Sequence, residues 1–187
     1  MAVDLTTVAN VKAQGAASGS ASDAVLALLI TQASAFIAKR TDVVFGATPV
    51  FSEIRDGYGG TELYVSHQPV VSITSLTIDG LAIPAQPADM QPGYFMADEL
   101  LCLVGYRFCR GRKNVRLSGT EGYAAVPKDI EQACIELVAS AFKRVPRGPD
   151  MVMEQVPASG MNVTWSQKDI PPYALAVLQQ YRKVVPL

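Results

Sequence analysis

The chain reads Gly122-Tyr123-Ala124-Ala125-Val126-Pro127-Lys128-Asp129-Ile130-Glu131-Gln132-Ala133 where an extended segment passes into an amphipathic helix. Pro127 suits the first helical position because it lacks an N–H, and Asp129 and Glu131 place negative charge at the positive end of the helix dipole. We therefore predict a helix over about residues 127–144. Its apolar residues recur at helical spacing and predict one buried stripe, formed by Ile130, Cys134, Leu137, Val138, Ala141 and Val145.

Two further helices are predicted before this point. Residues 4–14 carry a short apolar pattern that indicates a helix capped by Asp4 or Thr6. A Gly/Ala/Ser-rich connector follows, and a longer helix is predicted over about residues 23–40, where apolar residues again follow helical spacing. The apolar arc of this second helix is wide, so we expect it to touch more than one neighbour.

Between about residues 45 and 122 the apolar period changes to two, and Gly, Pro and Asp separate short runs rich in Val, Ile and Thr. We predict one hairpin between the runs 50–55 and 61–65 and a second around Asp79-Gly80, because Asp-Gly between alternating segments favours a tight turn. The alternation slips at Thr74-Ser75, which predicts a bulge or a bend. A loop is predicted over residues 84–93, followed by strands near Tyr94 to Met96, Leu100 to Leu103 and Asn114 to Ser118.

The C-terminal part is predicted to hold a loop with one extended segment at 161–165, and then a helix from Pro172 to about Lys183. A helix this short must dock, either on its own core or in a partner's groove. The whole pattern predicts one α+β domain over residues 1–187, a small bundle of about four helices with a β-rich insertion of short antiparallel strands and hairpins between the second and third helices. Its parts are N-terminal helices at 1–44, the β insertion at 45–122, a central helix at 123–145, a loop at 146–170 and a C-terminal helix and tail at 171–187.

Composition narrows the class of protein. Apolar residues make up 49% of the chain and charged residues 18%, which excludes general disorder and leads us to expect partners that cover some apolar surface. The longest aliphatic run, Ala24 to Ile30, is much shorter than the roughly 20 residues of a membrane helix, so no span is predicted. The start, Met1 to Asp4, carries an acid where a secretory signal would be positive, so we expect folding in a cytoplasm.

Charge is nearly balanced, with sixteen basic and seventeen acidic residues, so the chain has no global attraction for nucleic acid. One local cluster stands out, because it holds five positive charges and no acid. Such a cluster could meet DNA phosphates without reading sequence, or it could be a solvated loop or pair with acids elsewhere. Its members are Arg107, Arg110, Arg112, Lys113 and Arg116.

No motif indicates catalysis or a bound cofactor. His67 is the single histidine, and no nucleophile elbow, phosphate-binding loop or dinucleotide fingerprint accompanies it. Glu53, Asp56 and Glu62 flank one predicted turn, but their spacing matches no calcium loop. The three cysteines form no CxxC pair, so neither a zinc site nor a set of structural disulfides is predicted. Cys134, on the helical stripe, is expected to be a small buried residue.

Taken in order, these blocks resemble the head-tail connector (adaptor, or head-completion) proteins of long-tailed double-stranded DNA phages. The blocks that carry the resemblance are the N-terminal Asp4 to Lys12 and Ser22 to Ile37, the β-region Arg55 to Val65 and Gln68 to Leu76, the Gly122 to Ala133 segment, and the closing Tyr181 to Pro186.

The resemblance implies a structural virion protein in the neck, made in the host cytoplasm, with no enzymatic activity and no cofactor. Such a protein forms a homo-oligomeric ring beneath the portal, twelvefold to match it, extends the channel through which double-stranded DNA passes, and contacts the next neck or tail-completion protein, with no membrane involved. The C-terminal segment is expected to dock on the portal. The candidate contacts there are Tyr173, Leu175, Leu178, Tyr181 and Arg182.

Two alternatives stay open at this level. The chain could be another neck or tail-completion protein that binds the tail tube instead of the portal. It could also be a small enzyme without a recognisable motif, in which case His67 and the acids near it would be the nucleus of the site.

Overall fold

A computed structural model of the protein describes residues 3–15, 22–144 and 170–182. The described residues up to Gly46 and from Ala125 onward form one compact unit, which we call the helical unit. Residues Ala47–Ala124 form a second, the β unit. The chain therefore leaves the helical unit after its second helix and returns at the segment 122–133.

The helical unit contains four helices in its described residues: α1 (Val8–Ala13), α2 (Asp23–Thr41), α3 (Lys128–Arg144) and α4 (Pro172–Gln180). Helix α3 packs against each of the other three, and α2 also packs against α1 and α4. Because α2 and α3 each bury a long apolar stripe against neighbours on more than one side, they form the centre of the unit.

The predicted stripe of α3 is confirmed, since Ile130, Cys134, Leu137 and Val138 are fully buried and Ala141 nearly so; Val145 lies outside the described residues. The helix begins at Lys128, one residue later than predicted. Pro127 is the residue before it, and its carbonyl oxygen accepts the first helical hydrogen bond, from Glu131 N at 3.0 Å.

The predicted cap of α1 is wrong. Thr7 occupies the cap position, where its Oγ1 accepts a hydrogen bond from Asn10 N at 3.3 Å. A cap residue needs an extended backbone, and Thr7 has it, with φ −116° and ψ 157°. Asp4 and Thr6 precede the observed cap by three residues and by one residue.

Helix α2 is long and apolar enough to cross a membrane, judged by length and composition alone. Core helices of globular proteins share these properties. Its Val25, Leu26, Leu29, Ile30, Ala33 and Ile37 are buried within the protein, so packing against α1, α3 and α4 accounts for the apolarity.

The β unit contains two antiparallel sheets. Its strands are β1 (Val50–Gly57), β2 (Glu62–Tyr64), β3 (Val70–Ile78), β4 (Leu81–Ile83), β5 (Gly93–Ala97), β6 (Leu100–Val104) and β7 (Gly111–Glu121). The first sheet has the order β1-β7-β3-β4, and the second has the order β2-β6-β5. Apolar side chains from both sheets form one core, which includes Phe51, Leu63, Leu76, Leu101, Phe108 and Leu117.

The predicted hairpin between runs 50–55 and 61–65 is wrong. Strand β1 pairs instead with β7, and β2 pairs with β6. The hairpin at Asp79-Gly80 is confirmed, because it joins β3 to β4 and both residues have positive φ, 51° and 82°. The predicted bulge is confirmed as well, by a register shift between Ile73 and Ser75 opposite β7.

The predicted fold class is therefore confirmed: α+β, with antiparallel sheets of short strands inserted between the second and third helices. The predicted extended segment at 161–165 and nearly all of the predicted loop at 146–170 lie outside the described residues. The final helix ends at Gln180, three residues short of its predicted end.

Candidate functional site

The five residues of the basic cluster occupy two places in the β unit. Arg107 and Arg110 lie on the connection between β6 and β7, and Arg112 and Lys113 lie at the start of β7. We call these four residues the basic end. Arg116 lies further along β7, on the solvent side of the sheet, where Ile54 of β1 and Thr77 of β3 are its cross-strand neighbours. All five side chains are exposed.

A bulge in β7 shapes the basic end. In the pairing of β1 with β7, Arg55 opposes Val115 and Gly57 opposes Gly111, so residues 112–114 stand opposite a single residue, Asp56. Lys113 has a left-handed backbone, with φ 52°, and its N–H donates a 2.6 Å hydrogen bond to Asp56 Oδ1. Bulges of this kind re-aim side chains and interrupt a ladder locally. This one places Arg112 and Lys113 at the surface.

Asn114 closes the bulge from within. Its Oδ1 accepts a hydrogen bond from Gly57 N at 2.8 Å. Its Nδ2 donates to Asp79 Oδ1 at 3.1 Å and to Cys109 O at 2.9 Å. One amide thus joins β1, the β3–β4 turn and the connection before β7, which are far apart in the sequence.

The connection between β6 and β7 is anchored in the same way. Phe108 is fully buried in the core of the β unit, and its backbone exchanges hydrogen bonds with Gly59 N at 2.6 Å and Gly60 O at 2.9 Å. Arg107 and Arg110 flank this anchor, and Arg110 Nε donates to Tyr58 O at 3.3 Å. Within the described ranges, no carboxylate lies within ion-pair distance of any of the five cations. The cluster can therefore offer its charge to a polyanion.

The candidate contacts in the C-terminal segment divide between surface and core. Tyr173 is 45% exposed and Arg182 is exposed, whereas Leu178 is 1% exposed and belongs to the core. Leu175 is half-buried, as is Tyr181, whose hydroxyl donates to Asp129 Oδ1 at 3.1 Å.

Tyr181 also makes an edge-on contact with Phe45, with ring centroids 5.8 Å apart. Helix α4 is thus docked on its own unit through Ala174, Val177 and Leu178 and is fixed at its C-terminal end by Tyr181. In this fold, the side chains of Tyr173 and Arg182 are the members of the predicted set that a partner can reach.

His67 has structural partners. Its ring stacks on Phe51 with centroids 4.4 Å apart, and its Nδ1 lies 2.9 Å from Glu121 Oε1. The neighbouring Ser66 directs its hydroxyl to Glu53 Oε1 and accepts from Arg55, so it is not aligned with the imidazole as a nucleophile. This arrangement fixes the chain between β2 and β3.

The other candidate chemical groups are also dispersed. Glu53 is held by Ser66, Asp56 by the backbone of Lys113, and Glu62 lies exposed on β2. Among the described residues, no group of three potential metal-ligating side chains occurs. Cys134 is buried, and its burial raises its pKa to about 12, so the thiol stays protonated and unreactive at neutral pH.

Comparison with known proteins bears on the chain as a whole. The sequence model of the family described as "Head completion protein" matches residues 4–184. The chain belongs to the head completion protein family. No curated protein sequence matches it. The resemblance drawn from the sequence blocks is thereby confirmed at the level of the family.

Solved structures from gene transfer agent (GTA) particles share the fold of this family member. The neck of the native particle, computed with C12 symmetry, aligns over 96% of this chain and 90% of that chain, with 18% identity and a TM-score of 0.54. The neck of the empty particle, computed with C6 symmetry, aligns over 100% and 92%, with 20% identity and a TM-score of 0.56. A chain from the virion of the native particle aligns over the same shares, with 20% identity and a TM-score of 0.53.

Proposed function

We propose that this head completion protein is a structural component of the neck of a phage or phage-like particle, where it forms a ring beneath the portal, joins head to tail and extends the DNA channel. The observation that carries the proposal is the coincidence of two whole-chain likenesses. The family match covers nearly all of the chain, and the α+β fold, including its β insertion, aligns end to end with chains of GTA necks. In this role the whole chain, residues 1–187, acts as one connector domain.

Assembly into a ring accounts for the low share of charged residues. In a closed ring each subunit contacts its two neighbours through different surfaces, so two faces are withdrawn from water. A chain with 18% charged residues can supply such faces. The C12 symmetry used for the native GTA neck supports a twelvefold ring here, and the C6 symmetry used for the empty neck is compatible with one.

Portal docking is assigned to the exposed side of α4. Tyr173 and Arg182 stand at the two ends of the helix, and exposed Ala176 and Gln180 lie on it between them. Tyrosine and arginine are among the residue types that contribute most to protein–protein binding. Here they flank a small, uncharged surface. Leu175 and Tyr181, half-buried, would support this surface, and Leu178 would hold the helix in place from the core.

The basic cluster is assigned to the wall of the DNA channel. Arginine and lysine contacts to phosphates are independent of sequence, which suits a surface past which any genome must move. Arg107, Arg110, Arg112 and Lys113 would act together, and Arg116 would add a separate contact on the sheet face.

The protein is assigned no catalytic activity and no cofactor. The basis is the set of partners of His67, which are an aromatic ring and one glutamate within the β unit. A His67→Ala variant that folds and supports infection fully would agree with this assignment. Loss of infection by a variant that still assembles into particles would favour the enzyme alternative.

Co-purification with the portal protein encoded nearby tests the assignment. We expect a stable complex in which rings of this chain sit on the tail-facing side of the portal. Binding to the tail tube or a tail-completion protein, without portal binding, would instead support the alternative position in the neck.

The predicted docking surface needs point variants. Truncation before Pro171 would remove Ala174, Val177 and Leu178 from the core, so loss of binding by that variant would not separate docking from folding. Tyr173→Ala combined with Arg182→Glu changes exposed positions only. We expect it to fold normally and to lose portal binding, and full binding would refute the assignment.

A further inference from the structure

The backbone of the basic end is fixed before any ligand arrives. Residues 105–113 are held by the buried ring of Phe108, by its backbone hydrogen bonds, and by the amide of Asn114. The approach is so close that a Cβ added to Gly57 would collide with Cys109 O. A loop that is already ordered does not have to be ordered again when it binds, so its charges contribute more of their attraction to affinity.

Two exposed acids of this region each use one carboxylate oxygen in the hydrogen bonds of the bulge. Asp56 Oδ1 accepts from Lys113 N, and Asp79 Oδ1 accepts from Asn114 Nδ2. The cations next to them have no carboxylate partner in the described residues. The bulge thus uses one oxygen of each aspartate in its own hydrogen bonds, and it leaves the four exposed cations without a carboxylate partner among the residues described.

We propose that the basic end is a preformed site for the phosphates of double-stranded DNA and that Asn114 is its positioning residue. Asn114 acts through Arg112 and Lys113, because it holds the bulge from which both side chains project. The inference rests on the proposed passage of DNA through the neck. It goes beyond that function in naming an uncharged residue, outside the basic cluster, on which DNA affinity depends.

The test measures binding of the purified full chain to a short fluorescein-labelled DNA duplex by anisotropy, over about 50 to 200 mM salt. Asn114→Ala leaves every charge in place. We expect weaker binding and a plot of log K against log salt that is shallower by about 0.9 for every phosphate that the variant no longer neutralises. Wild-type affinity with a wild-type slope in this variant would overturn the inference.

Asn10→Ala is the matched control. It removes a side-chain amide that also joins distant segments, since Asn10 Nδ2 donates to Glu131 Oε1 at 2.7 Å, but it lies in the helical unit. We expect its DNA affinity and salt slope to equal those of the wild type. Equal losses in both Asn variants would mean that reduced stability, and not position, lowers binding, and would overturn the inference.

A second variant keeps the test independent of the folding of Asn114→Ala. Asp56→Asn keeps an oxygen that can accept from Lys113 N but removes a negative charge beside the cations. We expect tighter DNA binding with the bulge intact. Unchanged or weaker binding by this variant would overturn the inference even if Asn114→Ala fails to fold.

Two outcomes separate this inference from the function on which it rests. If the wild type binds no DNA at any salt concentration, the DNA-channel assignment fails as well; if only Asn114→Ala is indistinguishable from the wild type, the assignment stands and the inference falls.

The other possible ligand of the basic end is a second copy of this chain. The acidic turn Asp98-Glu99 lies at the other end of β6, so a second copy could supply carboxylates in place of DNA phosphates. Self-association that disappears in Arg112→Glu and returns on mixing with Glu99→Arg would overturn DNA as the ligand.

Discussion

Leu178→Ala separates folding from docking in the C-terminal segment. Leu178 is 1% exposed, so the substitution removes three buried carbon groups at about 0.8 kcal/mol each, and a cavity term adds to this. The expected loss of unfolding free energy is about 3 kcal/mol, which for a chain of this size lowers Tm by about 6–12 °C. If the short α4 shifts to fill the cavity, the cavity term is smaller and the decrease in Tm should lie toward the lower end of its range.

The assay is urea unfolding of the purified variant, followed by circular dichroism at 222 nm, beside portal binding by co-purification. Tyr173→Ala is the control, because it lies on the same helix but is 45% exposed; its stability should stay within about 0.5 kcal/mol of the wild type. We expect the two variants to show opposite effects: Leu178→Ala lowers stability most, and Tyr173→Ala lowers portal binding most. Wild-type stability of Leu178→Ala together with an absence of portal binding would refute the packing of α4 described above.

Three further predictions concern other parts of the molecule. Iodoacetamide should label exposed Cys109 in the native protein and leave buried Cys134, whose pKa is raised to about 12, unlabelled until denaturant is added; mass spectrometry checks this, and equal native labelling would contradict it. The pKa of Glu131 is lowered, first by its hydrogen bond with Lys128, so it contributes stability above its unfolded pKa of about 4.5 that is lost as pH falls through the lower folded value. Glu131→Gln should therefore lose less stability between pH 7 and pH 3 in urea titrations than the wild type, and parallel curves would argue against the effect. Gly80→Ala, at φ 82° with open space around it, should cost about 1–2 kcal/mol from backbone strain alone, and a cost-free substitution would rule out the left-handed turn.

The elements that the sequence predicts well are those whose signals are local. Helix α3 is found within one residue of its predicted start, because Pro127, the acids after it and the apolar stripe all lie within the helix or beside it. The Asp79-Gly80 hairpin is found for the same reason, since both turn residues adopt positive φ and the strands they join are adjacent in the chain.

Strand pairing is where local signals mislead. Asp56-Gly57 looks like a second tight turn, yet β1 pairs with β7, which lies beyond the other strands of the unit in the sequence. The choice of partner follows from the shared core, in which Phe51 of β1 and Leu117 of β7 both take part, and no turn residue encodes it.

The candidate sites show the same limit. The local run of positive charge in the sequence locates the basic cluster, but the bulge and the amide of Asn114 depend on contacts with Gly57 and Asp79, far away in the chain. The helical spacing that includes Leu178 predicts an apolar stripe, but it does not say whether the stripe faces a partner or the protein's own core. Only the packing of α4 on α2 and α3 distinguishes the two.

The central claim is that this chain forms a ring at the portal, and imaging of the co-expressed portal complex by electron cryomicroscopy tests it most directly. We expect a closed ring of this chain on the tail-facing side of the portal, coaxial with the channel, with twelve copies as in the C12 symmetry used for the GTA neck. A chain that leaves the portal bare and binds only tail components would contradict it.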